Sequence, residues 1–181
     1  ASPTHDEPEL DESPTLKVAC ATERGVPTRY WKQLRCYEMS HSDLNAKPAT
    51  LRKWREAAPE GASFIARIDP KLAALHFEGD EAQTLWRHAL LRQQALEAEV
   101  LLLHTPATYR PSHEAIAALR RFFGELERPC PIAWRAEGLW EESETYVELC
   151  EELGLIPAID PLMWDEDEPM PRAERFYWRI L

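Results

Sequence analysis

Glycine is scarce in this chain, six residues among 181, and there is no glycine-rich phosphate loop, no Gly-x-Ser-x-Gly elbow and no His-Glu-x-x-His helix. A phosphate cradle built from backbone amides is therefore not expected, and recognition of an anion would have to use side chains. Long apolar runs are missing as well. None approaches the ~20 residues of a membrane helix, and the first residues lack the basic-then-apolar pattern of a secretory leader. We expect a cytoplasmic chain with no membrane partner. Basic residues are outnumbered: 21 Lys and Arg face 32 Asp and Glu, a formal charge of −11. That balance argues against general affinity for a nucleic-acid backbone, so nucleic acid is not an expected partner. The four cysteines, Cys20, Cys36, Cys130 and Cys150, stand far apart with no Cys-x-x-Cys or Cys/His ligand spacing. We read them as buried free thiols and expect neither a metal nor a cofactor.

What is present is an alternation. Residues 1–14 hold five acids, three prolines and one leucine, too little apolar surface to order themselves. They read as an acidic tail, disordered or loosely docked, ahead of a single domain over 15–181. Within that domain Glu99-Val100-Leu101-Leu102-Leu103-His104 is short and densely apolar, as a strand buried on both faces is. Pro111-Ser112-His113-Glu114 opens a helix whose Ile116, Leu119, Phe122, Phe123 and Leu126 recur at helical spacing, and Ile132-Ala133-Trp134-Arg135 supplies the parallel neighbour. Similar reasoning predicts strands over 16–21, 35–40, 63–68, 156–160 and 176–181. Helices are expected over 27–34, 48–57, 80–98 with Asp80 as cap, and 140–153 with Gly154 as stop. Pro157 has to sit where no ladder donor is required. Seven alternating strands point to a TIM-like (β/α) barrel, open or incomplete, one unit short of the usual eight. Either the barrel is open or the sequence is a piece of a longer one.

In parallel α/β architecture chemistry gathers at the carboxyl ends of the strands. Side chains alternate along a strand, so turning Arg135 inward leaves Trp134 against the helices. The same parity groups Glu38 and Ser40, Arg67, His104, Asp160 and Arg179 around one mouth. Arg67, Arg135 and Arg179 are always-charged forks suited to carboxylate or phosphate, with Ser40 as a further ligand-binding candidate. His104, with Glu38 or Asp160, is the candidate set for moving a proton. The competing reading has Glu38 and Asp160 each pairing with an arginine in a closed network that binds nothing. His5, His76, His88 and His113 read as surface or cap residues, and His41 follows Ser40 without matching its parity. Trp54, Trp86 and Trp134 have packing roles between barrel and helices, and the run Asp165 to Glu168 reads as a solvated loop.

The ordered fragments resemble the domain of unknown function 72 (YecE-like) family of TIM-barrel proteins. The resemblance is carried by Tyr37-Glu38-Met39-Ser40, Leu51-Arg52-Lys53-Trp54 with Ala58-Pro59, and Phe64-Ile65-Ala66-Arg67. Leu101 to Pro106, Trp134-Arg135 followed by Trp140, and Tyr177-Trp178-Arg179 complete it. It implies the barrel fold over residues 16–181 and no secure activity. The chain departs from the family pattern at Ala133, where an acid is usual, and at Ala136, where a histidine is. Two functions follow as expectations: a pocket for a small anionic ligand such as a phosphate ester, with hydrolase chemistry as its extension, or a non-catalytic barrel acting through a protein partner by way of the acidic tail and the tryptophans of 161–178.

Overall fold

The computed structural model describes residues 16–20, 22, 25–124, 126–141, 143–162 and 177–178. Six parallel strands form one sheet in sequential order: β1 (Cys36–Glu38), β2 (Ser63–Arg67), β3 (Val100–Thr105), β4 (Ile132–Ala136), β5 (Ile156–Ile159) and β6 (Tyr177–Trp178). Helices α1 (Pro48–Ala57), α2 (Lys71–Ala74), α3 (Gly79–Leu96), α4 (His113–Gly124) and α5 (Glu144–Leu153) fill the connections. The arrangement is an open half-barrel rather than a complete or seven-stranded one.

The strand expected over 16–21 is the one that does not form among the described residues. Its backbone is taken by a side chain instead: the Cys20 amide donates to the Tyr30 hydroxyl (3.0 Å), which donates onward to the carbonyl of Cys36 on β1 (2.6 Å). A phenol thus occupies the place of a ladder, and Cys20 is left exposed, contrary to the expectation of a buried thiol. Cys36 and Cys150 are buried, and burial pushes the Cys36 thiol up to about 11, which keeps it an unreactive thiol. Two helix boundaries also differ. Asp80 lies in the first turn of α3, with Glu78 in the capping position. The helix expected from 140 is a 3-10 turn (Gly138–Trp140) followed by α5, because Ser143 is extended, at φ −102° and ψ 122°, and the helix starts afresh after it. The acidic tail of 1–14, the irregular stretch from 163 and Arg179 lie outside the described residues.

One face of the sheet carries the core. Tyr37, Phe64, Leu101, Leu103, Ile132 and Trp134 are sealed against Leu51, Leu96, Leu119, Phe123 and Trp140. Trp134 meets Trp140 and Tyr146 edge to face, at ring-centroid distances of 5.1 and 4.9 Å. Pro157 costs the sheet little. Pairing of β5 with β6 begins only at Ala158, and towards β4 it is Ala158 whose amide is engaged, by the Tyr146 hydroxyl.

Candidate functional site at the strand ends

Register assigns the opposite face. Arg67 pairs with Leu102, Leu102 with Ala133, His104 with Arg135, Glu38 with Ile65 and Ala158 with Tyr177. Partners in a parallel pair point the same way. Glu38, Arg67, His104, Arg135 and Tyr177 therefore share the face turned away from the helices. The sheet must also curl. The edge strands of a flat six-stranded sheet would stand about 24 Å apart at ~4.8 Å per strand, yet the Tyr177 hydroxyl on β6 donates to the Glu38 carboxylate on β1.

The charged groups fall into two sets. In the first, Arg67 donates to Glu38 at 2.9 Å and through Nε to the Met39 carbonyl at 3.1 Å, with side chains only 8% and 14% exposed. Glu38 also accepts from Tyr177, so this set is a cross-sheet tie at the first strand end. In the second, His104 Nε2 and Arg135 Nη2 converge on one oxygen, Oε1 of Glu137, at 2.9 and 3.1 Å. These side chains are more open, 19%, 15% and 33% exposed for His104, Arg135 and Glu137. Nε2 is buried and has no directed hydrogen bond to that oxygen, so the two groups stand close without one. Burial lowers the pKa of His104 below its ordinary value; Glu137 opposes this, and Arg135 and Arg67 add to it. The imidazole is accordingly neutral near pH 7. It follows that the unfolded chain binds a proton here before the folded one does, so stability falls as pH drops through the ordinary histidine range towards the folded pKa. His104→Gln should flatten that part of a urea-midpoint profile against pH; an unchanged slope would place its source elsewhere.

Three sequence candidates do not join this convergence. The Asp160 carboxylate accepts from the Leu162 amide at 2.9 Å in a turn and pairs with neither arginine among the described residues. Ser40 gives its amide to Asp43 at 3.0 Å and its hydroxyl lies 2.7 Å from that of Ser42, so it belongs to the turn after β1. Arg179 lies outside the described residues. His41, His76, His88 and His113 are exposed. Sequence reasoning missed Glu137, although it stands two residues beyond Arg135 with the same parity, and the strand pattern could have been carried one step further to reach it.

Glu137 is held by its surroundings. A Cβ on the next residue, Gly138, would come within 2.9 Å of the Ala107 Cβ, so the loops after β3 and β4 touch at this point. Trp140 locks them together, donating from its indole to the Tyr109 carbonyl at 2.6 Å and stacking on the Tyr109 ring. Surface hollows of about 350 Å³ beside Lys17, Arg35 and Ser63, and about 660 Å³ beside His76, His113 and Arg121, are lined by none of Glu38, Arg67, His104, Arg135 and Glu137. The candidate site is placed at the strand ends because there charged groups from four strands face a common side. Among the described residues no three His, Cys, Asp or Glu side chains are grouped to hold a metal, and no helix is long and apolar enough to cross a membrane.

No family model and no curated protein sequence matches the chain. Solved structures do. A domain of unknown function 72 (DUF72) family protein from Enterococcus faecalis V583 shares 17% identity and a TM-score of 0.55, covering 76% of this chain and 54% of its own. A DUF72 family protein from Thermotoga maritima MSB8 shares 13% identity and a TM-score of 0.56, covering 76% of this chain and 57% of its own. The chain is DUF72-like in fold and spans a little over half the length of these structures.

Proposed function

We propose that this DUF72-like half-barrel binds a small oxyanion, a phosphate ester or a carboxylate, at the ends of β3 and β4. The observation that carries the reading is the convergence of His104 Nε2 and Arg135 Nη2 on a single carboxylate oxygen. Arg135, ion-paired with that oxygen of Glu137, can pair with an oxygen of a ligand instead, and His104 Nε2, close to the same point but without a hydrogen-bond partner there, can give the ligand the bond it does not make to Glu137. The strand-end position and the guanidinium of Arg67 nearby favour negative charge there. Hydrolase chemistry is the extension of this reading: neutral His104 takes a proton from a water as the water oxygen bonds to the ester phosphorus and the P–O bond to the alcohol breaks, and the proton then passes from His104 to the departing alkoxide, while Arg135 holds the oxyanion. Glu38 has no part in it, being committed to Arg67 and Tyr177.

The test is a thermal-shift titration with a panel of phosphorylated and carboxylated metabolites on three proteins. The parent protein should be stabilised by at least one member. Arg135→Ala should weaken that ligand by about tenfold or more, roughly the 1.4 kcal/mol or above of a charge-assisted hydrogen bond. Glu137→Gln, which removes the internal competitor, should strengthen it several-fold. A shift that survives Arg135→Ala unchanged, or none across the panel, overturns the site.

A second reading, a non-catalytic barrel that docks a protein partner, draws on Leu162 and Trp178, which are 71% and 52% exposed near the open edge of the sheet.

A further inference from the structure

The charges around His104 limit the kind of anion that can stand there. Among the described residues, the guanidiniums of Arg67 and Arg135 face the same side as the carboxylates of Glu38 and Glu137, and Asp160 has the same parity one residue past β5. Arg67 is committed to Glu38 at 2.9 Å and to the Met39 carbonyl at 3.1 Å. Arg135 pairs with Glu137 at 3.1 Å and makes a further interaction besides, so its charge is shared and not spare. His104 adds none near pH 7, because burial, Arg135 and Arg67 together outweigh the pull of Glu137 on its proton. Glu137, for its part, cannot withdraw. Its amide donates to the Thr105 carbonyl at the end of β3 at 3.1 Å, and the next residue, Gly138, lies so close to Ala107 that a Cβ there would come within 2.9 Å. With the backbone pinned on both sides, only the side chain can swing, and its charge stays beside any ligand at Arg135.

From this arrangement we infer that Glu137 sets the charge selectivity of the site, which takes a singly charged oxyanion such as a carboxylate or a phosphodiester and disfavours a doubly charged one. The inference deepens the oxyanion reading above and rests on it. A monoanion replaces the Glu137 carboxylate at Arg135 charge for charge. A dianion brings a second negative charge that Arg67, held by Glu38, is not placed to meet. Repulsion from Glu137 is proportional to the charge of the ligand, so it costs the dianion twice the free energy that it costs the monoanion.

The experiment compares two tetrahedral oxyanions of similar size, methanesulfonate with a single charge and sulfate with a double one, at pH 8 and constant ionic strength. Each Kd is read from the ¹⁵N shifts of the His104 ring. The parent protein should bind methanesulfonate about tenfold or more tighter than sulfate. In Glu137→Gln both ions should tighten, and the factor gained by sulfate should be about the square of that gained by methanesulfonate. Comparing the two gains cancels the different hydration of the ions. Glu137→Asp keeps the charge and should keep the preference. Equal gains in Glu137→Gln, or equal affinities in the parent protein, overturn the inference and leave the oxyanion site standing. If neither ion moves the His104 resonances in any of the three proteins, the oxyanion reading itself fails and this inference falls with it.

Discussion

Arg67→Ala should lower the unfolding free energy by about 3–5 kcal/mol, the cost of leaving one partner of a buried ion pair uncompensated. The Glu38 carboxylate loses its guanidinium partner in a position where its side chain is 14% exposed, and the Met39 carbonyl loses the Nε donor at 3.1 Å. The consequence reaches beyond β1 and β2. Glu38 is where β6 is tied back across the open face, so a destabilised Glu38 loosens the curl of the whole sheet. Replacing both partners at once, Arg67→Met with Glu38→Gln, should recover much of the loss, since no buried charge is then left alone. Urea titrations of the three variants measure this directly. A single-variant loss under about 1 kcal/mol would mean that the pair is solvated and holds nothing.

The second large effect is expected at Asp43, a buried carboxylate that accepts from the Gly25 amide (2.9 Å), the Tyr37 hydroxyl (2.7 Å) and the Ser40 amide (3.0 Å). Asp43→Ala strands these donors. At ~1–3 kcal/mol for each buried group left unmet, with water reaching the less buried ones, the net loss should be about 3 kcal/mol. For a chain of this size that is a fall in Tm of about 6–12 °C. Asp43→Asn keeps the volume but presents an amide NH₂ where an acceptor is needed, so it should recover only part. Full recovery by asparagine would show that packing, and not the three donors, sets the cost. Tyr37 and Ser40 flank Glu38 in sequence, so Asp43 also fixes the strand end from which the cross-sheet tie to Arg67 and Tyr177 is made.

These two carboxylates illustrate what the sequence disclosed and what it withheld. Alternation along a strand needs only chain order, so the separation of Arg135 from Trp134 onto opposite faces could be read before any coordinates. Proline and apolar spacing likewise place α1 at its observed bounds, Pro48–Ala57. Partner choice between strands is another matter. Arg135 takes Glu137 from its own strand end rather than Asp160 from the next, and Glu38 is met by a tyrosine from the far edge, because curl and seam geometry, not local pattern, decide which long side chains reach each other. The strand expected over 16–21 has a favourable composition but loses its ladder to the hydroxyl of Tyr30, a contact no periodicity announces. The helix expected from 140 starts at Glu144 instead, because Ser143 takes an extended backbone that apolar spacing does not announce. The fold was therefore more legible than the site: elements depend on local order, whereas the site depends on which tips converge.

The most direct test of that convergence is ¹⁵N NMR of the His104 imidazole during titration with inorganic phosphate at pH 7. The account predicts a saturable change in the ring-nitrogen shifts of His104 that disappears in Arg135→Ala and grows steeper in Glu137→Gln. Ring nitrogens that stay unmoved up to ~10 mM phosphate, where even a free energy of about −2.7 kcal/mol would register, would contradict it.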